Sequence, residues 1–351
     1  MCLVTFFIVA FGNSFLPTVD TFCAAFTAIT IVATCIYLSV KGDAGRHSPA
    51  YTLGHYDPTL SGWNGFSFFI GALPPAFTFS AIGMLTSMTE ECGDATVKMP
   101  RAVSLAVPVG CIAGLFFIIP ICATLPDLQE ILSAPLGQAL PYVFIRVVGS
   151  QAGALTLVAL VLVITLFCSI SITVAASRAT WAFARDNAIP LTKVWSKIHH
   201  RHGTPIWALA LTTIVEMLLG LIYLGSSSAF NAFVSVGVIA LAVSYGIPIA
   251  LSMAKKRAGV NTAPWRFGGT SGWIFNIVAL AWILFELVLF SMPPAIPVTS
   301  STMNYAIVVL FGFMAISTAW YFAHARHVYQ GPPASDGVSA PTQLQTEADT
   351  L

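Results

Sequence analysis

Charge is what this sequence has least of. Only 8% of its 351 residues are Asp, Glu, Lys or Arg, against 57% hydrophobic ones, whereas soluble domains carry about 25% charged residues. So few charges cannot give a chain of this size a wettable surface, which excludes a soluble globular protein. The net charge of +1 lacks the basic surplus that nucleic acid attracts, so no such partner is expected. The seven cysteines show no CxxC or other metal-ligand spacing. Cys2, Cys23, Cys35, Cys111, Cys122 and Cys168 fall inside apolar runs, where a thiol behaves as a small hydrophobe. No cofactor or metal is expected. No GxxxxGK[ST] loop occurs, so no ATP-driven step is expected either.

In place of charge stand apolar runs of about 20 residues, each long enough to cross about 30 Å of hydrocarbon. Nine windows qualify: 2–16, 21–40, 64–88, 102–125, 151–176, 205–224, 230–253, 272–292 and 303–323. The connecting loops fall into two alternating sets. One holds twelve of the fifteen basic residues; the other holds only Lys41, Arg46 and Arg146. Positive residues stay cytosolic, which puts the first set and the C-terminus inside. An all-α, multi-pass protein of the plasma membrane is expected, with the lipid bilayer as solvent. Its membrane domain would span 1–325, and the polar Pro/Ser/Thr-rich stretch 326–351 would be a disordered cytosolic tail. Nine spans with a cytosolic C-terminus put Met1 outside, and no basic region precedes the short first window. The chain thus reads as one that begins inside a larger membrane protein, or as one with a genuinely short first helix.

The third window is unlike the others. Residues 69–88 read FIGALPPAFTFSAIGMLTSM, with Gly71, Pro74, Pro75 and Gly83 as interruptions. Each proline lacks an N–H and clashes with the preceding turn. Broken backbone within hydrocarbon is tolerated only against protein or a wet cavity, and transporters use such breaks to present backbone groups to a substrate. On this reading Phe77 and Phe79 wall the substrate, while Thr78, Ser80 and the backbone through Ala81 bind its polar end. A kinked but continuous helix is the alternative.

The fifth window ends in Ser169, Ser171 and Thr173. Ser169 and Thr173 share a helical face, either for packing between helices or for lining the pathway. Two acids lie inside windows, Glu216 and Glu286. Intramembrane carboxylates are costly and point to function: they handle a coupled proton, or they are protonated and silent, or bonded to a neighbouring helix. All seven histidines lie in loops or at the cytosolic edge, so no in-span His/carboxylate pair exists for metal or acid–base chemistry, and no enzyme is expected.

Two cytosolic segments carry a family likeness. After the broken window come Glu90-Glu91, Ala95 and Pro100-Arg101-Ala102; after the fifth come Ser177-Arg178, Trp181-Ala182-Phe183-Ala184-Arg185-Asp186, Ala188 and Pro190, with Pro205 opening the next span. Over residues 13–325 the sequence resembles the amino acid–polyamine–organocation permeases, especially the fungal branch carrying γ-aminobutyrate, other amino acids or choline. The resemblance implies a leucine-transporter-type fold of two inverted five-helix repeats plus two helices, of which the nine windows match the fourth through twelfth. The first three helices, including the other discontinuous one, would be missing. It also implies secondary transport of an amino acid, γ-aminobutyrate, choline or a polyamine by alternating access. Glu90, Glu91, Pro100, Arg101, Arg178, Arg185 and Asp186 would form a cytosolic gate whose ion pairs make and break, or a charge cluster that only fixes topology. Gly83 and Ser87 stand where the fungal pattern often has an acid and a histidine, and residues 21–40 lack the lysine of some proton-coupled members. A transport-inactive fragment or a regulatory membrane protein is the other reading.

Overall fold

The computed structural model describes residues 1–42, 45–59, 61–134, 138–199, 203–261, 263–299 and 303–329. The expected tail lies outside them from residue 330 on. In chain order the helices are α1 (Cys2–Phe11), α2 (Leu16–Lys41), α3 (Pro49–Gly54), α4 (Ser67–Ile70), α5 (Leu73–Ser80), α6 (Ala95–Ala123), α7 (Leu128–Leu132), α8 (Ala139–Val148), α9 (Gln151–Arg185), α10 (Thr192–Trp195), α11 (Ile206–Gly225), α12 (Ser227–Ala254), α13 (Ala258–Asn261), α14 (Gly269–Leu289), α15 (Ala306–Trp320) and α16 (Arg326–Val328). No strand occurs among the described residues.

Eight helical stretches are long and apolar enough to cross a bilayer: Leu16–Lys41, Asn64–Thr89, Ala95–Ala123, Gln151–Arg185, Ile206–Gly225, Ser228–Ala254, Gly269–Leu289 and Ala306–Val328. The expected first window accounts for the difference from nine. Its helix α1 has ten residues and so spans about 15 Å at a rise of 1.5 Å per residue, half the hydrocarbon thickness. Gly12 closes it, its N–H on the Ile8 carbonyl at 2.8 Å, and a 3₁₀ turn at Asn13–Phe15 leads straight into α2. The expected turn at 17–20 is therefore absent, and Asp20 sits inside α2. Other helices also outrun their windows. The backbone ladder of α9 continues to Arg185 and α6 begins at Ala95, which places Pro100, Arg101, Arg178 and Arg185 on helix ends instead of loops. Hydropathy marks where the oil ends, whereas helical hydrogen bonding continues into the polar layer.

The chain divides into two compact units. One comprises Met1–Asp57, Val107–Val174 and His199–Thr204; the other comprises Pro58–Ala106, Ala175–Ile198 and the residues from Pro205 onward. In the first, Leu38 of α2 packs with Val143, Phe144, Val147 and Val148 of α8 and with Ala154 and Leu157 of α9. In the second, Val236, Val238 and Ile239 of α12 pack against Leu289, Phe290 and Ala306. Outward faces are apolar too: Leu224 is 80% exposed and Ile316 68%. Such exposure costs about 25 cal/mol per Å² in water and nothing comparable in lipid.

Candidate functional site

The Asn64–Thr89 stretch is helical but not one α-helix. A 3₁₀ turn at Asn64–Phe66 and the four residues of α4 end at Gly71 and Ala72, whose N–H groups bond to the carbonyls of Ser67 (2.9 Å) and Phe69 (3.0 Å). Leu73 then starts α5, so Pro74 and Pro75 fall in a first turn, where a backbone N–H has no intrahelical partner to lose. The backbone leading into that turn through Gly71 and Ala72 keeps right-handed helical dihedrals. After eight residues α5 gives way to eleven residues of 3₁₀ helix, Ala81–Glu91, although such runs rarely exceed about four residues. Side-chain hydroxyls accompany the switch. Ser80, Thr86, Ser87 and Thr89 each donate to the carbonyl three residues back, on Phe77, Gly83, Met84 and Thr86, at 2.6–2.9 Å. Local bonds of this kind compete with the regular ladder.

The sequence-predicted cradle is divided by this geometry. Phe79 and Ser80 line a cavity, Ala81 stands where α-helix becomes 3₁₀, and Phe77 is 53% exposed on the far side of α5. Thr78, also exposed, donates to the Pro74 carbonyl at 3.0 Å. Ser169 and Thr173 belong to the other unit, half-buried and buried respectively on α9. Between them Ser171 donates to the Asp20 carboxylate at 2.9 Å.

The cavity measures about 530 Å³ and is walled by three helices of one unit. On the α5 side, Ala72, Pro75, Ala76, Phe79 and Ser80 face it; α12 contributes Val238, Ala242, Tyr245 and Ile249; α14 contributes Ala279, Trp282, Ile283 and Glu286. Each set repeats at the three-to-four-residue spacing of one helical face. The Tyr245 hydroxyl donates to the Ser80 carbonyl at 3.0 Å. A Cβ at Gly83 would run into the Tyr245 ring, so any other residue there would push the ring aside. At Gly246, by contrast, an added Cβ would meet an Ile283 methyl at 3.4 Å, an ordinary van der Waals contact. Glu286 is only 6% exposed, and Trp282 stands one helical turn before it on the same wall. Glu216 lies half-buried on α11. Sequence reading missed Tyr245 and Trp282. Trp282 carried a signal, since it precedes Glu286 by one helical turn; Tyr245 meets Ser80 only through tertiary packing.

At the predicted gate, Arg185 pairs with its neighbour Asp186 at 3.1 Å and lies over the Trp181 ring at 4.9 Å. The Trp181 indole N–H bonds to the Ser196 carbonyl at 2.9 Å, and that of Trp320 to the Ala188 carbonyl at 3.1 Å. The motif residues thus fasten the segment that follows α9. The side chains of Glu90 and Glu91 lie outside the described structure, as do His200, Arg201 and His202. Among the described residues no group of three or more His, Cys, Asp or Glu side chains is placed to hold a metal.

Comparison with known proteins supplies the family. The family model described as amino acid permease matches residues 1–313. The chain is 34% identical to an uncharacterized amino-acid permease of Schizosaccharomyces pombe, covering 96% of this chain and 62% of that one. It is 33% identical to a choline transporter of Saccharomyces cerevisiae (83% and 51% covered) and 31% identical to a polyamine transporter of the same yeast (95% and 54%). The chain therefore spans between half and two thirds of the length of these relatives. The family model covers most of the sequence, and relatives more than 30% identical agree with it: this chain belongs to the amino acid permease family.

Proposed function

We infer that the protein moves an amino acid or a related amine (γ-aminobutyrate, choline or a polyamine) across the plasma membrane as a secondary transporter, with its C-terminus in the cytosol. It performs no covalent chemistry on its cargo and uses no cofactor. The observation that carries this reading is the interruption at Gly71–Ala72 followed by 3₁₀ backbone from Ala81, inside a stretch apolar enough to span a membrane. Discontinuous membrane helices hold substrate near the bilayer midplane and move as the site alternates between sides. Phe77, Thr78, Phe79, Ser80 and Ala81 form the cradle, while Ser169 and Thr173 on α9 are a separate substrate-binding candidate within the other unit. Glu90, Glu91, Pro100, Arg101, Arg178, Arg185 and Asp186 act at the cytosolic mouth, and Glu216 and Glu286 carry the coupled proton.

Tracer uptake of γ-aminobutyrate, choline and putrescine by the 351-residue chain in transport-deficient yeast tests the reading. Accumulation of one of them above vector controls supports it. Surface-localised chain with no uptake of any amino acid or amine favours the second reading, a transport-inactive or regulatory permease chain.

A further inference from the structure

The strongest unassigned chemistry lies at the α14 wall of the cavity. Glu286 is nearly fully buried there, and no lysine or arginine is among the lining residues. An ionised carboxylate in so apolar a place needs a compensating charge. Trp282, one turn away on the same wall, has a single indole N–H, which could satisfy at most one of about four acceptor sites on the two oxygens and supplies no net charge. The neutralising charge must therefore arrive with something mobile, either a proton or a cation.

The remaining walls favour a particular cation. Phe79, Tyr245 and Trp282 line the same space as Glu286, and aromatic faces attract ammonium groups most strongly when these are desolvated. Apart from Ser80, whose hydroxyl is bonded to the Phe77 carbonyl, the other lining side chains are small or aliphatic, among them Ala72, Ala76, Ala242, Ala279, Val238 and Ile283. That leaves methyl-sized contacts and few hydrogen-bond acceptors, which suits a substituted ammonium better than a heavily hydrated metal ion. About 530 Å³ falls within the roughly 300–1,000 Å³ of small-molecule sites.

We propose that this cavity is a binding site for an organic ammonium ion, with Glu286 as its counter-charge and Trp282, Tyr245 and Phe79 as its aromatic walls. The inference rests on the transport reading in one respect, that cargo reaches the cavity. In the empty state a proton neutralises Glu286. The incoming ammonium replaces it, the O–H bond breaks and the proton passes to water, so one positive charge enters as one leaves. Tyr245 is the other titratable lining group; its hydroxyl is committed to Ser80 and takes no part in the exchange.

The test uses the purified 351-residue chain in lipid nanodiscs, with tritiated choline as probe and its uncharged carbon isostere 3,3-dimethylbutan-1-ol as competitor. Saturable choline binding is expected, resistant to the alcohol, weakened about tenfold or more by Glu286→Gln and largely retained by Glu286→Asp. Wild-type chain in weakly buffered solution is expected to release about one proton per choline bound, a readout that does not depend on how the variants fold. Absence of saturable binding, equal competition by the alcohol, unchanged affinity in Glu286→Gln or binding without proton release would each overturn the proposal. Choline binding by a chain that takes up no amino acid or amine leaves this site standing and defeats the transport reading; amino-acid uptake without choline binding does the reverse.

Discussion

The Tyr245 hydroxyl donates a 3.0 Å hydrogen bond to the backbone carbonyl of Ser80, at the residue where α5 ends and 3₁₀ backbone begins. The ring behind that hydroxyl occupies the space a Cβ on Gly83 would need. A side chain of α12 thus holds the switch point of the broken stretch from outside, and the missing side chain at Gly83 makes room for it.

Removing either half should loosen the switch. Tyr245→Phe keeps the ring but drops the donor, with an expected loss of about 1–3 kcal/mol if the carbonyl is left unsatisfied. Gly83→Ala should cost about as much through overpacking. Because the two residues touch, Gly83→Ala in a Tyr245→Ala background should be milder than the sum of the single changes. Thermal unfolding of the four proteins in detergent measures this; strict additivity would contradict the contact.

Trp181 and Arg185 should govern the segment after α9. Trp181→Leu removes both the bond to the Ser196 carbonyl and the ring beneath the Arg185 guanidinium, worth about 1–2 kcal/mol together. Trypsin cleavage at Lys193 and Lys197 should accelerate by roughly tenfold through more frequent local opening, while cleavage at Lys255 stays unchanged. Equal rates at all three sites would show that the motif does not fasten this segment.

The segment between α6 and α9 should respond to acid. The hydrogen bond from Arg146, reinforced by its charge and by Tyr142, holds the Glu130 carboxyl below its ordinary range. A carboxyl whose folded pKa lies below its unfolded one stabilises the fold above the unfolded value of about 4.3. That contribution is lost as pH falls through the lower, folded value. Both side chains are substantially exposed, so the effect is small and screened by salt. The expected result is a wild-type melting temperature slightly above that of Glu130→Gln at neutral pH, converging with it in strong acid. A gap that widens in acid would reverse the sign of the argument.

Much of this architecture was legible in the residues, and what escaped follows a physical pattern. The long apolar windows match the structure because hydrocarbon selects for composition, which a sequence displays directly. Pro74 and Pro75 announced an interruption, and the structure has one: the α ladder lapses at Gly71 and Ala72 while the backbone stays right-handed helical, and the prolines sit in the first turn of α5. Asp20, Arg101, Arg178 and Arg185 looked like loop residues because charge marks the polar layer, whereas their helices continue through it. The ten-residue α1 read as a span because Gly12, a weak signal in a membrane helix, ends it. The pairing of Tyr245 with Ser80, 165 residues apart, depends on how α12 packs, and no local pattern encodes it.

The account stands on Ala72–Ala81 as the cradle that holds cargo. Thr78→Ile and Ser80→Leu remove the two hydroxyls bonded to the α5 backbone and put branched hydrocarbon in their place. Tracer uptake by these variants, at surface levels matched to wild type, is the most direct measurement. The predicted result is loss of about tenfold or more in both; uptake equal to wild type in both would contradict the assignment.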